Sequence, residues 1–152
     1  MFDQLAPAVA LARPIVERVV WCTVATAGPE GARSRIMHPV WSWEGQPTAV
    51  VSSRETPLKR RHLDHVPAVS CTWWDPSHDT VTIDARAEWV PEGERALAWE
   101  RVASVPAPVG FDPSMIWPDG PLSPDCAFLR LTAFRIVVAP GGVPAARWTA
   151  PS

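Results

Sequence analysis

Apolar residues recur along this chain in two rhythms, and the switches between them mark the elements. Residues 3–19, DQLAPAVALARPIVERV, have a helical rhythm. Leu5, Val9, Ile15 and Val19 share a face, Pro7 suits a first turn, and Pro14 is a candidate kink. Residues 19–26, VVWCTVAT, are apolar and β-branched, which predicts a buried strand. The glycine-flanked AGPEG turn leads into a second strand over 32–43, with Arg33, Arg35 and Met37 on one face and Ser34, Ile36 and His38 on the other. Pro39 marks an edge or a bulge in it. A third strand over 48–53 completes an expected three-stranded meander.

Thr56 as N-cap and Pro57 at the first helical position predict a helix that ends near His65, before Pro67. Strands follow over 68–74 and 80–90. The latter alternates cleanly, with Val81, Ile83, Ala85 and Ala87 opposite Thr82, Asp84, Arg86 and Glu88. A helix over 91–105 opens on Pro91 with Glu92 and Glu94 in its first turn. Residues 106–125 form a long proline-rich loop, a length that points to a functional or interface element. A last long strand, 128–139, carries an expected bulge near Thr132, and residues 145–149 add a short edge strand. Six to seven antiparallel strands with two to three helices, no repeat and no linker predict one mainly-β domain over residues 1–152. A barrel over 19–149 follows an N-terminal helix over 3–19, and the strand count favours a barrel over a doubly wound sheet.

One position breaks local rules. Lys59 falls at the third helical position after Thr56, where a capping box would place a carboxylate and where the helix dipole disfavours a cation. A lysine there makes sense if an anion occupies the helix start. Backbone N–H groups, the Ser52 and Ser53 hydroxyls and Lys59 then form a phosphate cradle. Arg35, on the second strand, supplies a guanidinium fork if that strand pairs with the third.

Composition narrows the classes. The 152 residues are 47% hydrophobic and 20% charged, which is globular, and a net charge of −2 gives no general attraction to nucleic acid or an anionic membrane. Cys22 and Cys71 lie in apolar runs and read as small buried hydrophobes in a reducing compartment. With no secretory h-region, a cytoplasmic location is expected. The nine tryptophans and absence of tyrosine imply broad apolar surfaces for a core, an interface or a ring-binding cleft.

The segments CTVATAGPEGARSRIMHPVWSW and AVVSSRETPLKRRHLDHVPAVSCTWWDP, followed by TVTIDARAEWV, resemble in order and spacing the pyridoxamine 5′-phosphate oxidase-like, flavin-binding split barrels. The resemblance covers roughly residues 19–105, and LRLTAFRIVV also fits. It implies a split β-barrel of the FMN-binding type in which Arg35 and Lys59 hold the cofactor phosphate. Main chain at Ile36, Met37 and His38 would run beside the ring, Ser52 and Ser53 would lie near the ring and ribityl chain, and Thr80 would reach the cofactor. Trp74 and Trp117, with Trp73, are candidates to wall the cleft or seal a dimer, against plain core packing. Leu58 stands where the family often has a phosphate-binding arginine, with Arg60 or Arg61 as substitutes. Val40 replaces a lysine of the true oxidases, which speaks against vitamin B6 oxidation. The implied cofactor is FMN, with the 8-hydroxy-5-deazaflavin coenzyme as the alternative and haem as a third. The implied function is a flavin-dependent oxidoreductase acting on a small molecule, or a non-catalytic flavin- or haem-binding protein. The implied assembly is a homodimer with the cofactor at the interface. No catalytic residue is identified.

Other constellations carry less. His62 and His65 are spaced for a metal on a helix, but without a nearby carboxylate pair they read as two solvated histidines, and no metal site is expected. Asp75, His78 and Asp79 suit turn and cap roles. The run from Lys59 to His62 is too short for a nucleic-acid interface.

Overall fold

The computed structural model describes residues 4–152. Helix α1 (Leu5–Val19) runs through Pro14 without a break and buries Ala8, Ala12, Ile15 and Val16. Residue 3, where it was expected to start, lies outside the described residues. The strands are β1 (Cys22–Gly28), β2 (Gly31–Met37), β3 (Val40–Ser42), β4 (Thr48–Arg54), β5 (Ala68–Trp74), β6 (Thr80–Trp89), β7 (Cys126–Ala139) and β8 (Ala146–Thr149). Helix α2 (Pro57–His65) lies between β4 and β5, and α3 (Arg95–Ser104) follows β6 after a short 3-10 turn at Glu92–Glu94.

All pairings are antiparallel, in the order β2-β1-β5-β6-β7-β4-β3, with β8 on β7. This corrects the expected meander. The segment 32–43 is two strands, because Pro39 has no N–H to extend the ladder. β2 pairs only with β1, and β3 only with β4, so the two strands occupy opposite ends of the order. Yet only His38 and Pro39 lie between them. That short link holds the two ends of the sheet together, so the sheet curls into a barrel with a slit between β2 and the β3–β4 pair.

The barrel interior follows the alternation of the strands. Val69, Cys71 and Trp73 of β5 and Val81, Ile83, Ala85 and Ala87 of β6 face it. On β7 the inward set is Leu129, Leu131 and Ala133, then Ile136 and Val138. The step of three residues marks a bulge. Asp84 pairs with Arg135 but Ala85 pairs with Ala133, which leaves Phe134 as the extra residue. The bulge expected near Thr132 is therefore two positions later. Trp73 is fully buried, and its indole donates to the Val20 carbonyl at 3.1 Å, tying α1's end to the barrel. α1 packs on β5, β6, β7 and β8. A second apolar cluster, formed by Val40, Val90, Ala98, Val102, Trp117, Cys126 and Phe128, fixes α3 and the long loop.

Candidate functional site

The slit opens into a cleft of about 690 Å³. One wall is β2 and the link after it, with Arg35, Ile36, Met37 and His38. The opposite wall is the end of β4 with Ser52 and Ser53, and Lys59 of α2. The long loop closes a third side with Pro108, Phe111, Met115 and Ile116, and Trp21 stands at the start of β1. Ile36 is 63% exposed, Trp21 54% and Met115 80%, so the mouth of the cleft is an apolar rim.

The helix start is as the capping pattern dictates. Thr56 is the N-cap in extended conformation, Pro57 follows, and the Thr56 hydroxyl accepts from the Lys59 N–H at 3.3 Å. That bond changes the expected cradle. Pro57 has no N–H and the cap takes the amide of Lys59, so side chains dominate the anion-binding capacity of this end. The Lys59 ammonium turns back to β4 and donates to Ser53 Oγ at 2.7 Å and the Arg54 carbonyl at 3.0 Å. Ser53 is buried because its side chain continues the inward face of Ala49 and Val51. Lys59 is also the chain's only lysine.

Arg35 reaches the site from the other edge. It sits opposite Val24 on β1, diagonal to Thr26 on the same face, and donates to Thr26 Oγ1 at 2.8 Å. Among the described residues neither Arg35 nor Lys59 forms an ion pair, whereas Arg60 pairs with Glu55 and Arg61 with Glu30. Burial lowers the pKa of Lys59, and the Arg35 charge lowers it further. Burial likewise lowers that of Arg35. Two half-buried cations without a carboxylate among the described residues, with the charge of Arg35 felt at Lys59, create an excess of positive potential that an anion would neutralise.

At the other end His38 is wedged between rings, 4.4 Å from the centroid of Trp21 and 5.5 Å from that of Phe111. Its Nδ1 lies 2.9 Å from the Val109 carbonyl. A carbonyl only accepts, so Nδ1 carries the proton and Nε2 of the neutral ring keeps its lone pair. The cleft thus joins a cationic end to an aromatic, apolar end.

Seven of the residues singled out from sequence come together here: Arg35, Ile36, Met37, His38, Ser52, Ser53 and Lys59. Three do not. Thr80 pairs with Trp74 and Ala139 at the start of β6, away from the cleft. Trp74 is 55% exposed and packs edge-on against His78. Trp117 is 3% exposed, inside the second cluster, with Phe128 beside it. Arg60 and Arg61 do not substitute for the missing arginine at Leu58. Each is held by a carboxylate, and Arg60 also lies over the Trp89 ring.

The reading of His62 is overturned. It is 0% exposed, with Nδ1 2.9 Å from Thr26 Oγ1, while His65 is exposed as expected. Sequence reasoning also missed Trp21, Thr26 and Val109. No local pattern marks them; they matter because β1 and the loop are folded against β2. Among the described residues no group of three or more His, Cys, Asp or Glu side chains could hold a metal, and no helix is long and apolar enough to cross a membrane.

No protein-family model and no curated protein matches the sequence. Solved structures do match its fold. A Clostridium acetobutylicum protein related to general stress protein 26 of B. subtilis, of the pyridoxinephosphate oxidase family, superimposes with a TM-score of 0.75 at 14% identity, over 94% of each chain. A pyridoxamine 5′-phosphate oxidase-related, FMN-binding protein from Nostoc punctiforme gives a TM-score of 0.59 at 14% identity, over 90% of this chain and 82% of that one. The heme storage protein of Vibrio cholerae gives 0.59 at 19% identity, over 86% of this chain and 90% of that one. The chain has the pyridoxamine 5′-phosphate oxidase-like split-barrel fold.

Proposed function

We propose that this chain is an FMN-binding protein that acts as a flavin-dependent oxidoreductase, with the flavin phosphate between Arg35 and Lys59 and the ring toward the aromatic end of the cleft. The observation that carries the reading is the pair of half-buried cations without a carboxylate partner, at one end of a cleft whose other end is apolar. Arg35 supplies a planar fork for phosphate oxygens and Lys59 a point charge. Ser53 and the Arg54 carbonyl keep the ammonium oriented before any ligand arrives. Trp21, Phe111 and Met115 supply flat apolar surface and exclude water from one side of a ring. When bound, the flavin supplies the hydride or electron transfer; the protein positions it. The deazaflavin coenzyme presents the same two chemistries, a phosphate and a tricyclic ring, and is the alternative cofactor. The exposed rim of Ile36 and Met115 supports a second copy of the chain as cover for the cleft.

A second reading, haem binding without catalysis, is favoured by one observation. His38 is held through Nδ1 by the Val109 carbonyl, an arrangement that leaves Nε2 as a donor for iron. Mass spectrometry of the small molecule released from purified protein on denaturation separates these readings. FMN or the deazaflavin supports the first, and a Soret band with released haem overturns it. A yellow protein bleached by a nicotinamide donor supports the oxidoreductase over the carrier.

A further inference from the structure

Behind the cationic end lies a buried hydrogen-bonded chain that the proposed function does not use. Arg35 Nη1 donates to Thr26 Oγ1 at 2.8 Å, because a guanidinium has no other role to play. Thr26 has one hydroxyl hydrogen, and His62 Nδ1 lies 2.9 Å away. In the neutral tautomer that puts its proton on the nitrogen facing a carboxylate, Nδ1 accepts from the Thr26 hydroxyl, a Thr26 lone pair accepts from Arg35, and the imidazole proton sits on Nε2. That nitrogen is buried without a hydrogen-bond partner and faces Glu30 Oε2 at 3.6 Å. The backbone N–H of Glu30 itself, then the Arg61 side chain, hold that carboxyl below the ordinary value, so the charge facing Nε2 is negative. The backbone is shaped to admit the ring. A Cβ on Gly28 would lie 2.5 Å from His62 Cδ2. A fully buried histidine, a hydroxyl between it and a cleft cation, and a glycine that makes room for it are separate observations that converge on one orientation of Arg35.

We infer that His62, acting through the Thr26 hydroxyl, is the positioning residue for the Arg35 guanidinium, and thereby sets the preference of the cleft for a phosphorylated over an unphosphorylated ring ligand. The inference rests on the phosphate reading of Arg35 and Lys59 given above. Thr26 alone could accept from Arg35 in several rotamers; His62 selects the one that aims its lone pair at Nη1. Without that selection the arginine keeps its charge and loses its direction, and a bidentate fork depends on direction.

The test is the ratio of FMN to riboflavin affinity, read by quenching of flavin fluorescence. The wild-type protein is compared with Thr26→Val, His62→Leu, the double variant and His62→Asn. Each single variant should lower the ratio by about tenfold, the scale of one hydrogen bond. The double variant should lower it no further than either single, because both cut the same chain. His62→Asn places a carbonyl oxygen where Nδ1 lies and should restore most of the preference. Riboflavin affinity itself should hold, which general damage to the barrel would not allow. A ratio unchanged within about twofold in Thr26→Val overturns the inference, and so do additive losses in the double variant. If His62→Leu fails to fold, Thr26→Val and His62→Asn decide alone. If the wild-type protein binds FMN no tighter than riboflavin, the phosphate reading itself falls, a result distinct from an unchanged ratio in the variants.

Discussion

Replacing Lys59 by methionine should separate stability from ligand binding, and the two effects differ in size. Methionine keeps the unbranched apolar stem of the side chain and removes its charged end. Without ligand, the substitution loses two hydrogen bonds, to Ser53 Oγ at 2.7 Å and to the Arg54 carbonyl at 3.0 Å. Each is worth about 1 kcal/mol net. Against that, the substitution removes a half-buried cation whose burial and whose neighbour Arg35 both disfavour its charge. These effects offset, so the folded protein should change by no more than about 1 kcal/mol, a Tm change of under about 4 °C for a chain of this size. With FMN, the variant loses a charge-assisted contact to phosphate worth about 1.5–3 kcal/mol, or about 10- to 150-fold in Kd. Riboflavin affinity should be unchanged. Fluorescence titration with both flavins, beside thermal melts of the unliganded proteins, reads all three quantities. Because Lys59 is the only lysine, an amine-directed reagent also reports on it alone among side chains, and FMN should protect it. Equal FMN affinity in variant and wild type, or parallel loss of FMN and riboflavin, would refute the placement of phosphate at Lys59.

Further outcomes are expected elsewhere. Lys59 titrates below the ordinary lysine value of 10.5, so between its folded and unfolded values the unfolded chain binds more protons; unliganded stability should rise with pH there, and Lys59→Met should remove that rise in denaturant titrations at alkaline pH. Gly110→Ala would put a Cβ 1.9 Å from the Val105 carbonyl oxygen, so the loop must move; a loss of about 1–3 kcal/mol in denaturant unfolding, with weaker flavin binding, is expected. Trp117→Ala should cost about 3–5 kcal/mol of stability and leave the FMN-to-riboflavin ratio intact, because the ring packs in the second cluster. Trp21→Ala should do the reverse, lowering both flavin affinities together by about 0.5–1.5 kcal/mol with little change in Tm.

What the sequence made legible was local. Thr56, Pro57 and the misplaced charge of Lys59 announced α2 and its unusual start, because capping is decided within four residues. The strand rhythms placed β5, β6 and β7 closely, because burial on one face imposes a period of two. Long-range facts were not legible. Nothing near His62 reports that Gly28, on another element, lacks a side chain where the imidazole must lie. The break at Pro39 was visible, but not that β2 and β3 then join opposite ends of the sheet. Tryptophans carried no address: Trp74, Trp117 and Trp21 have the same chemistry and differ only in which surface folds over them.

Strand β7 has a consequence for how the protein is made. It pairs with β6, β4 and β8, and β4 otherwise pairs with the three-residue β3. A ribosome delivers β4 and α2 long before it delivers residues 126–139. Until then Ser53 rides on a hairpin too small to hold its shape, since a lone two-stranded ribbon is marginal in water, while Lys59 rides on α2, which packs on β1. Arg35, on the β1–β2 hairpin, waits on the same closure. The nascent chain therefore carries both cations without a cleft to set them in, and loading of a ligand belongs after synthesis of β7, when one late strand joins the two halves of the site.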